Sequence, residues 1–298
     1  MSGILYAIIH EIRLGEHVRR LRSIEGSLST RRLGRFPHHL GEIGKLFDGA
    51  KKLTILADCA DYGSFFAPEE HKVLHDAVYR FSKAEGHQVQ ILVAGPPASL
   101  TAASPWAVED LPRIPAIKKK YWSKYIKTVR KDQPFLKWLG EVTNVSASHP
   151  NPKLTLFEQW LTSYSSEAPT GLRETLLHTK AVCDGSKTLE ADGASAEAFL
   201  ALLRSRQYWF EKLLAAAGAD IRHVQESTAL FFWISQKTCE PVRPQEDGIA
   251  LFAFPNPSGG EGALAFRTID PDLIKTFEGI FDKFWHQTST KSVAAPGS

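Results

Sequence analysis

Apolar residues in the first third of the chain follow two different periods. Segments 52–57 and 89–94 are short runs of apolar and β-branched residues, which is typical of buried strands. Segment 69–85 instead has its apolar residues on one helical face. A strand, a helix and a strand this close together predict a right-handed crossover that leaves the two strands adjacent and parallel.

The last part of the chain predicts a hairpin followed by a helix. Apolar stretches 249–254 and 263–267 are separated by prolines and glycines, which favour a turn. Asp270 and Pro271 then provide a helix start, with a carboxylate at the N-cap and proline at the first helical position. Apolar residues continue at helical spacing as far as Phe284.

The middle of the chain predicts further helices and strands, so the fold class is α/β. Helices are expected at about 117–129 and 154–164, and a long one at 195–218 that ends at Gly218. Strands are expected at 221–225 and 230–235, before the hairpin.

Composition indicates a globular protein that folds around a sizeable core. The chain has 298 residues, of which 43% are hydrophobic and 23% are charged. A net charge of +3 is too small to indicate a nucleic-acid partner by itself. Cys59, Cys183 and Cys239 are widely spaced and include no CxxC pair, which fits a reducing compartment. With no signal peptide and no apolar run long enough to cross a bilayer, we expect a cytoplasmic protein.

Residues 1–48 are predicted to form an N-terminal helical arm. Its first apolar residues fall on one helical face, and seven arginines between Arg13 and Arg35 stand against two glutamates. One interpretation is a docking or homodimerisation helix with a solvated basic side. The other is a helix at the surface of an anionic membrane, which would make the protein peripheral to that membrane.

The hairpin, the Arg267-Thr268 step before Asp270 and the aromatic-ended helix resemble the close of a phospholipase D-like domain. The versions that they resemble most occur in ligand-sensing and regulatory proteins. The resemblance implies two mixed-sheet halves that face each other in a sandwich and share a cleft. It implies a domain over 49–286, with halves at about 49–95 and 172–286, a basic helical insertion at 96–171 and a flexible tail at 287–298.

One copy of a sequence like the family's catalytic motif occurs at His178. In the family, His-x-Lys is followed five residues later by Asp, so that a histidine attacks phosphorus, a lysine neutralises phosphate charge and a carboxylate orients the imidazole. Here His178 and Lys180 are followed by Asp184 one residue early, and the preceding residues predict a helix. The motif is therefore either a chance match or a remnant of an active site.

Candidate ligand-binding residues follow the predicted strands. Asp58, Asp61 and Tyr62 come directly after strand 52–57, at the edge where open α/β sheets bind ligands; capping of the next helix is the alternative. Glu226 and Trp233 flank the later strands, where Trp233 lies either in the cleft or in the core.

The resemblance places Arg267 near the cleft, where it would contact an anion; an ion pair with Asp270 or Asp272 is the alternative. His71 and His75 lie one helical turn apart, but the sequence fixes no acidic third ligand, so we predict no metal site.

Segment 113–131 has eight basic residues and no acidic one, with aromatic residues between them. Such a segment either binds polyanions, with stacking on bases or contact with anionic lipid, or forms a solvated helix face whose aromatics pack inward. The candidate polyanion-binding residues are Lys118, Lys119, Lys120, Trp122, Lys124 and Lys127.

Three functional hypotheses follow. The leading one is a non-catalytic ligand-binding or regulatory domain that recognises an anionic, phosphorylated small molecule. The second is a metal-independent phosphodiesterase or phospholipid hydrolase that uses His178 and Lys180. The third is a scaffold associated with a membrane or a nucleic acid. Because no glycine-rich phosphate loop, nucleophile elbow or dinucleotide fingerprint occurs, we predict no cofactor.

Overall fold

Seven strands form one mixed sheet in the computed structural model, which describes residues 29–35, 39–57, 60, 64, 67–94, 119–144, 151–164, 171–187, 193–224, 230–239, 248–254 and 264–287. Its spatial order is β1-β7-β6-β5-β2-β3-β4. In chain order, the strands are β1 (Thr30–Arg35), β2 (Lys52–Ala57), β3 (Gln88–Ala94), β4 (Asp220–Val224), β5 (Phe231–Gln236), β6 (Gly248–Phe254) and β7 (Leu264–Thr268).

Eight helices accompany this sheet in the described residues. They are α1 (Leu40–Gly44), α2 (Pro68–Lys83), α3 (Lys119–Lys131), α4 (Gln133–Thr143), α5 (Pro152–Tyr164), α6 (Leu172–Asp184), α7 (Gly193–Ala216) and α8 (Pro271–Gln287). A 3₁₀ turn at Lys45–Phe47 follows α1. No helix of the described segments is both long enough and apolar enough to span a membrane.

The predicted crossover is confirmed. Strands β2 and β3 are adjacent and parallel, in register from Lys52 opposite Gln88 to Ala57 opposite Val93, and α2 connects them. Strand β4 adds a third parallel strand beside β3, whereas β5, β6, β7 and β1 are joined by antiparallel pairing.

The phospholipase D-like sandwich itself is not confirmed. We expected two facing mixed-sheet halves, but the strands of both predicted halves join in one sheet where β2 pairs with β5. The described part of the predicted N-terminal arm also includes a strand, because Thr30–Arg35 pairs with β7 at the sheet edge. What the structure supports is the coarser statement, a mixed α/β fold.

Both faces of the sheet are covered by helices. On one face, Ile55, Ile91 and Trp233 pack against α1, α2 and the C-terminal part of α7. On the other face, Phe232 and Phe252 pack against α8. Burial of these apolar side chains on both faces is what stabilises a three-layer arrangement.

A second core lies outside the sheet, among α3, α4, α5, α6 and the first half of α7. Its centre is aromatic and includes Tyr125, Phe135, Phe157 and Phe199, all buried. Helix α7 belongs to both cores, since Phe199 packs among these helices while Leu214 packs on the sheet. The five helices therefore form a helical layer, and α7 joins that layer to the sheet.

Candidate functional site

The carboxyl ends of the three parallel strands lie at one edge of the sheet, which is where open α/β folds bind ligands. Strand β2 ends at Ala57, directly before Asp58, and β4 ends at Val224, two residues before Glu226. Helix α2 begins after the same end of β2, and the middle of α7 passes between the helical layer and the sheet. We call this junction between α2 and α7 the seam.

A small cavity opens in the seam, between α2 and the sheet. Its volume is about 30 Å³, which is room for about one or two water molecules. Most of its lining is apolar, and the polar side chains among its lining residues include those of His71 and His75. The lining residues are Ile55, Ala57, Ala60, His71, Leu74, His75, Val78, Ile91, Leu214 and Trp233.

His71 and His75 lie one helical turn apart on the buried face of α2. Their ring centroids are 5.9 Å apart, and both rings pack on Phe210 of α7, at centroid distances of 4.9 Å and 4.4 Å. His71 is 4% exposed and His75 is 9% exposed. The Nε2 atom of His75 is buried and has no hydrogen-bond partner among the described residues.

Burial keeps both imidazoles neutral. Desolvation lowers the pKa of His71 well below its usual value, with smaller contributions from His75 and Arg206. Desolvation also lowers the pKa of His75, to about 4, and Arg206 lowers it further, while Asp76 and Asp132 act in the opposite direction. At neutral pH each ring therefore offers one N–H donor and one nitrogen acceptor.

Arg206 is a buried cation in the middle of α7. The residue is 5% exposed, and its guanidinium carbon lies 4.3 Å from the ring centroid of Phe210 and 4.9 Å from that of Phe135. It forms an ion pair with Asp132, the residue that caps α4. Its Nε atom has no hydrogen-bond partner among the residues that the structure describes. One N–H donor of a buried charged group is thus left unused.

A second polar group lies farther along α7. Glu211, 4% exposed, accepts hydrogen bonds from Trp160 Nε1 of α5 at 2.7 Å and from the His223 ring of β4 at 3.0 Å. One carboxylate therefore contacts both the helical layer and the sheet edge. Beside it, burial raises the pKa of Tyr208 to about 12, so this phenol stays neutral.

Of the predicted ligand residues, the structure describes Trp233 and Arg267. Trp233 is buried in the core on the sheet and is one of the residues that line the cavity. Asp58, Asp61, Tyr62 and Glu226 lie outside the described residues.

Arg267 lies away from the cavity, on β7 opposite Arg31. No ion pair of Arg267 is found in the described segments. The Asp270 carboxylate instead accepts from the backbone N–H groups of Asp272 and Leu273 at the start of α8.

His178, Lys180 and Asp184 all lie on α6, so the motif is helical. Lys180 Nζ is 3.7 Å from Asp184 Oδ2, one turn along the helix, and both side chains are almost half exposed. His178 precedes Lys180 by two positions, about 200° around the helix, so the two side chains leave different faces. The helix does not bring the three groups together on one side.

The described part of the basic segment, Lys119–Lys131, forms α3, and its aromatic residue Tyr125 is buried in the helical layer. Lys124 and Lys127 are exposed. Lys118 lies outside the described residues, as do the side chains of Lys119, Lys120 and Trp122.

Sequence reasoning did not find Arg206, Asp132, Glu211 or His223. A signal for Arg206 existed, because it occupies the apolar face of α7 at helical spacing from Leu202, Leu203 and Phe210. A charge in the middle of an apolar stripe indicates a buried charge that needs a partner.

Comparison with known proteins adds little. No protein-family model and no curated protein matches the chain. One solved structure, of TrmBL2, an archaeal chromatin protein with a novel mode of DNA binding, aligns at 10% identity with a TM-score of 0.31. That alignment covers 97% of this chain, which spans 65% of the other. A similarity this low carries no argument about fold or function.

Proposed function

We propose that the chain is a ligand-binding, regulatory domain that recognises an anionic, phosphorylated small molecule at the seam, and that its fold is a variant of the phospholipase D-like class. The fold proposal rests on the sequence resemblance at the C-terminal hairpin and helix. The binding proposal rests chiefly on one observation, the buried Arg206 whose Nε has no partner among the described residues.

A buried guanidinium is costly to keep in a fold for stability alone. Replacing a buried ion pair by well-packed apolar residues is often neutral or stabilising, so the pair with Asp132 is weak evidence for a purely structural role. Buried polar groups are nearly always hydrogen-bonded, which makes the unused donors at Arg206 Nε and Gln207 Nε2 exceptions that call for an explanation. A ligand oxygen that accepts from Arg206 Nε would supply one.

The positive charge of Arg206 acts on both imidazoles of the seam. Arg206 lowers the pKa of both His71 and His75, which means that its positive charge is felt at the two rings. At His71 the field of Arg206 would favour a phosphoryl group or a carboxylate over a divalent cation, whereas at His75 Asp76 and Asp132 act against it. The cavity holds only a small group, so we expect one end of the ligand to enter it.

The other hypotheses stay as predictions with their own tests. Hydrolysis by His178 and Lys180 and association of the basic α3 surface with a polyanion are taken up in the Discussion. A homodimer or a membrane contact through the N-terminal segment concerns residues outside those described.

A ligand screen followed by a matched pair of variants tests the proposal. Thermal-shift assays of the purified chain against phosphorylated metabolites, nucleotides and lipid headgroups identify a ligand, and isothermal titration calorimetry measures its affinity. Arg206→Lys keeps the positive charge but removes Nε, so we expect it to fold and to bind at least about tenfold more weakly.

Arg173→Lys is the control, because Arg173 lies on α6 and its side chain is 46% exposed. A ligand that binds wild type and Arg206→Lys equally would place the binding site elsewhere. No binding by any of these anions would overturn the proposed function.

A further inference from the structure

The two histidines and Arg206 meet on one aromatic ring. Phe210 contacts the ring of His75 at a centroid distance of 4.4 Å and that of His71 at 4.9 Å, and the Arg206 guanidinium lies 4.3 Å from its centroid. The three groups therefore share Phe210 as a neighbour; Arg206 does not itself line the cavity, so a ligand would have to extend from Arg206 past this ring to contact the imidazoles. The cavity that the imidazoles line has room for one or two oxygen atoms.

His75 is more than nine-tenths buried and is one of the residues that line this cavity, and its Nε2 atom has no hydrogen-bond partner among the described residues. A buried polar atom without a hydrogen bond costs free energy that a bound oxygen would recover. An oxyanion accepts hydrogen bonds only, so His75 would have to present an N–H at Nε2. A nearby negative charge also favours the protonated imidazole.

We propose that binding of an oxyanion at the seam is coupled to uptake of one proton by the His71–His75 pair, so that the domain responds to ligand and pH together. This inference rests on the proposed function and adds a regulation to the same site. The proton belongs to the pair, because two interacting imidazoles titrate together. Uptake stops at one proton, since two cations with ring centroids 5.9 Å apart would repel each other.

The charges that face the pair come from three elements. Asp76 lies on α2, Arg206 on α7, and Asp132 at the junction of α3 and α4. Both carboxylates favour a protonated His75 and Arg206 opposes it, yet desolvation outweighs them and holds the pKa of His75 at about 4. The ligand-free pair is thus neutral at physiological pH. A bound anion would raise the pKa of the pair and so favour its protonated form.

The size of the coupling follows from the added charge. An opposite charge within about 4–6 Å raises a pKa by roughly 1–3 units. A rise of about two units for the pair makes oxyanion affinity about tenfold higher at pH 5 than at pH 7.

The experiment uses inorganic sulfate as the probe, because it remains dianionic across this pH range, whereas a phosphate monoester titrates near pH 6. The full chain is titrated by isothermal titration calorimetry at pH 5, 6 and 7 in buffers of different ionisation enthalpy, with folding checked by circular dichroism at each pH. We expect up to one proton bound per anion, and an affinity that rises about tenfold from pH 7 to pH 5. NMR of the histidine ring C–H groups should show the pKa of His75 rising when sulfate is added.

His75→Gln places an uncharged amide N–H near the position of Nε2, so we expect it to bind sulfate with less proton uptake and a flatter pH profile. The double variant His71→Gln with His75→Gln should show neither uptake nor pH dependence. His286→Gln, at an exposed position near the end of α8, is the matched control and should behave as wild type.

Sulfate binding without proton uptake would overturn this inference and leave the proposed function intact. Uptake that persists in the double variant would overturn it as well. If the chain binds neither sulfate nor inorganic phosphate, and the ligand screen finds no anion, both the inference and the proposed function fail.

Discussion

Asp132 and Arg206 form an ion pair that joins the start of α4 to the middle of α7. The two oxygens of the carboxylate have different partners: Oδ1 accepts from the Phe135 N–H at 3.1 Å, and Oδ2 contacts the guanidinium. Arg206 also packs on the rings of Phe135 and Phe210. One carboxylate thus caps a helix and balances a charge that would otherwise be buried without compensation.

These two roles can be separated by substitution. Asp132→Asn keeps a good N-cap but loses the ion pair, so we expect the free energy of unfolding to fall by about 3 kcal/mol, the lower end of the range for a broken buried pair. The lower end applies because the Asp132 side chain is 27% exposed. Asp132→Ala removes the cap too and should cost about 1 kcal/mol more.

Urea denaturation measures both variants, with Asp184→Asn as the control. Asp184 pairs with Lys180 at the surface, so its loss should change stability by less than about 1 kcal/mol. If Asp132→Asn is as stable as wild type, the buried pair contributes nothing to the fold.

Acid should destabilise the protein through the buried histidines. The pKa of His75 is about 4 in the folded state and near 6.5 when the chain is unfolded, so the unfolded state binds the proton first as the pH falls. The stability contributed by the neutral ring is fully present above about pH 6.5 and is lost progressively toward pH 4. The full loss for this one residue is about 3 kcal/mol, and His71 adds to it in the same direction.

Chemical denaturation at pH 7, 6, 5 and 4 measures this loss. Between pH 7 and pH 4, the free energy of unfolding of His75→Gln should fall by about 3 kcal/mol less than that of wild type. The carboxylates do not affect this difference, because they titrate in both proteins. Equal pH slopes for the two proteins would show that His75 is not desolvated in the folded state.

Local signals in the sequence predicted several elements well. Asp270 and Pro271 were expected to start a helix, and α8 begins at Pro271 with two backbone N–H groups bonded to Asp270 Oδ1. Gly218 was expected to end a helix, and it adopts φ +101 just after α7, a conformation that favours glycine. Such features depend on a few neighbouring residues, so the sequence alone carries them.

Sheet order was not predictable in the same way. Strand β1 has the sequence TRRLGR, which lacks the apolar alternation of a strand, and only Leu33 packs against the core. It is held by backbone pairing with β7, from Thr30 opposite Thr268 to Arg35 opposite Leu264, more than 200 residues away by sequence number (268 − 30 = 238). Pairing over such a distance leaves no periodic signal in the segment itself.

The grouping of residues at the seam could not be predicted from the sequence for a related reason. His71 and His75 were visible as a pair at helical spacing, and Trp233 as a residue of the core or the cleft. Arg206, however, becomes a site residue only through Asp132, 74 positions earlier, and through burial by the helical layer. A sequence shows that a charge interrupts an apolar stripe, but not which distant carboxylate meets it.

His178→Ala should leave any phosphodiesterase activity of the purified protein unchanged, at the background of the assay. The physical reason is the helical setting, since Lys180 pairs with Asp184 while His178 leaves a different face of α6. Hydrolysis of bis-p-nitrophenyl phosphate is the measurement, with thermal unfolding of the variant as the control for folding. Robust hydrolysis by wild type that disappears in the variant would move the phosphodiesterase hypothesis ahead of the ligand-binding one.

The exposed lysines of α3 should contribute only a weak, salt-sensitive attraction to polyanions. Tyr125 is 1% exposed and packs in the helical layer, so it is not available to stack on bases, whereas Lys124 and Lys127 face solvent. Binding through these lysines alone weakens as counterions compete, with a slope of log K against log salt of roughly −0.7 to −0.9 per phosphate contact. We therefore expect single-stranded DNA and anionic vesicles to bind weakly at low ionic strength and to dissociate near physiological salt.

Replacing both Lys124 and Lys127 by glutamine should reduce the affinity at low salt. It should also make the slope of log K against log salt less negative, by the contribution of about two phosphate contacts. The matched control replaces Lys275 and Lys283, two exposed lysines of α8, and makes the same change in net charge. Fluorescence anisotropy with labelled DNA and vesicle sedimentation measure the two targets side by side. If DNA stays bound at high salt and vesicles do not, bases are being stacked by an aromatic residue other than Tyr125, and the helix face is more than a solvated basic surface.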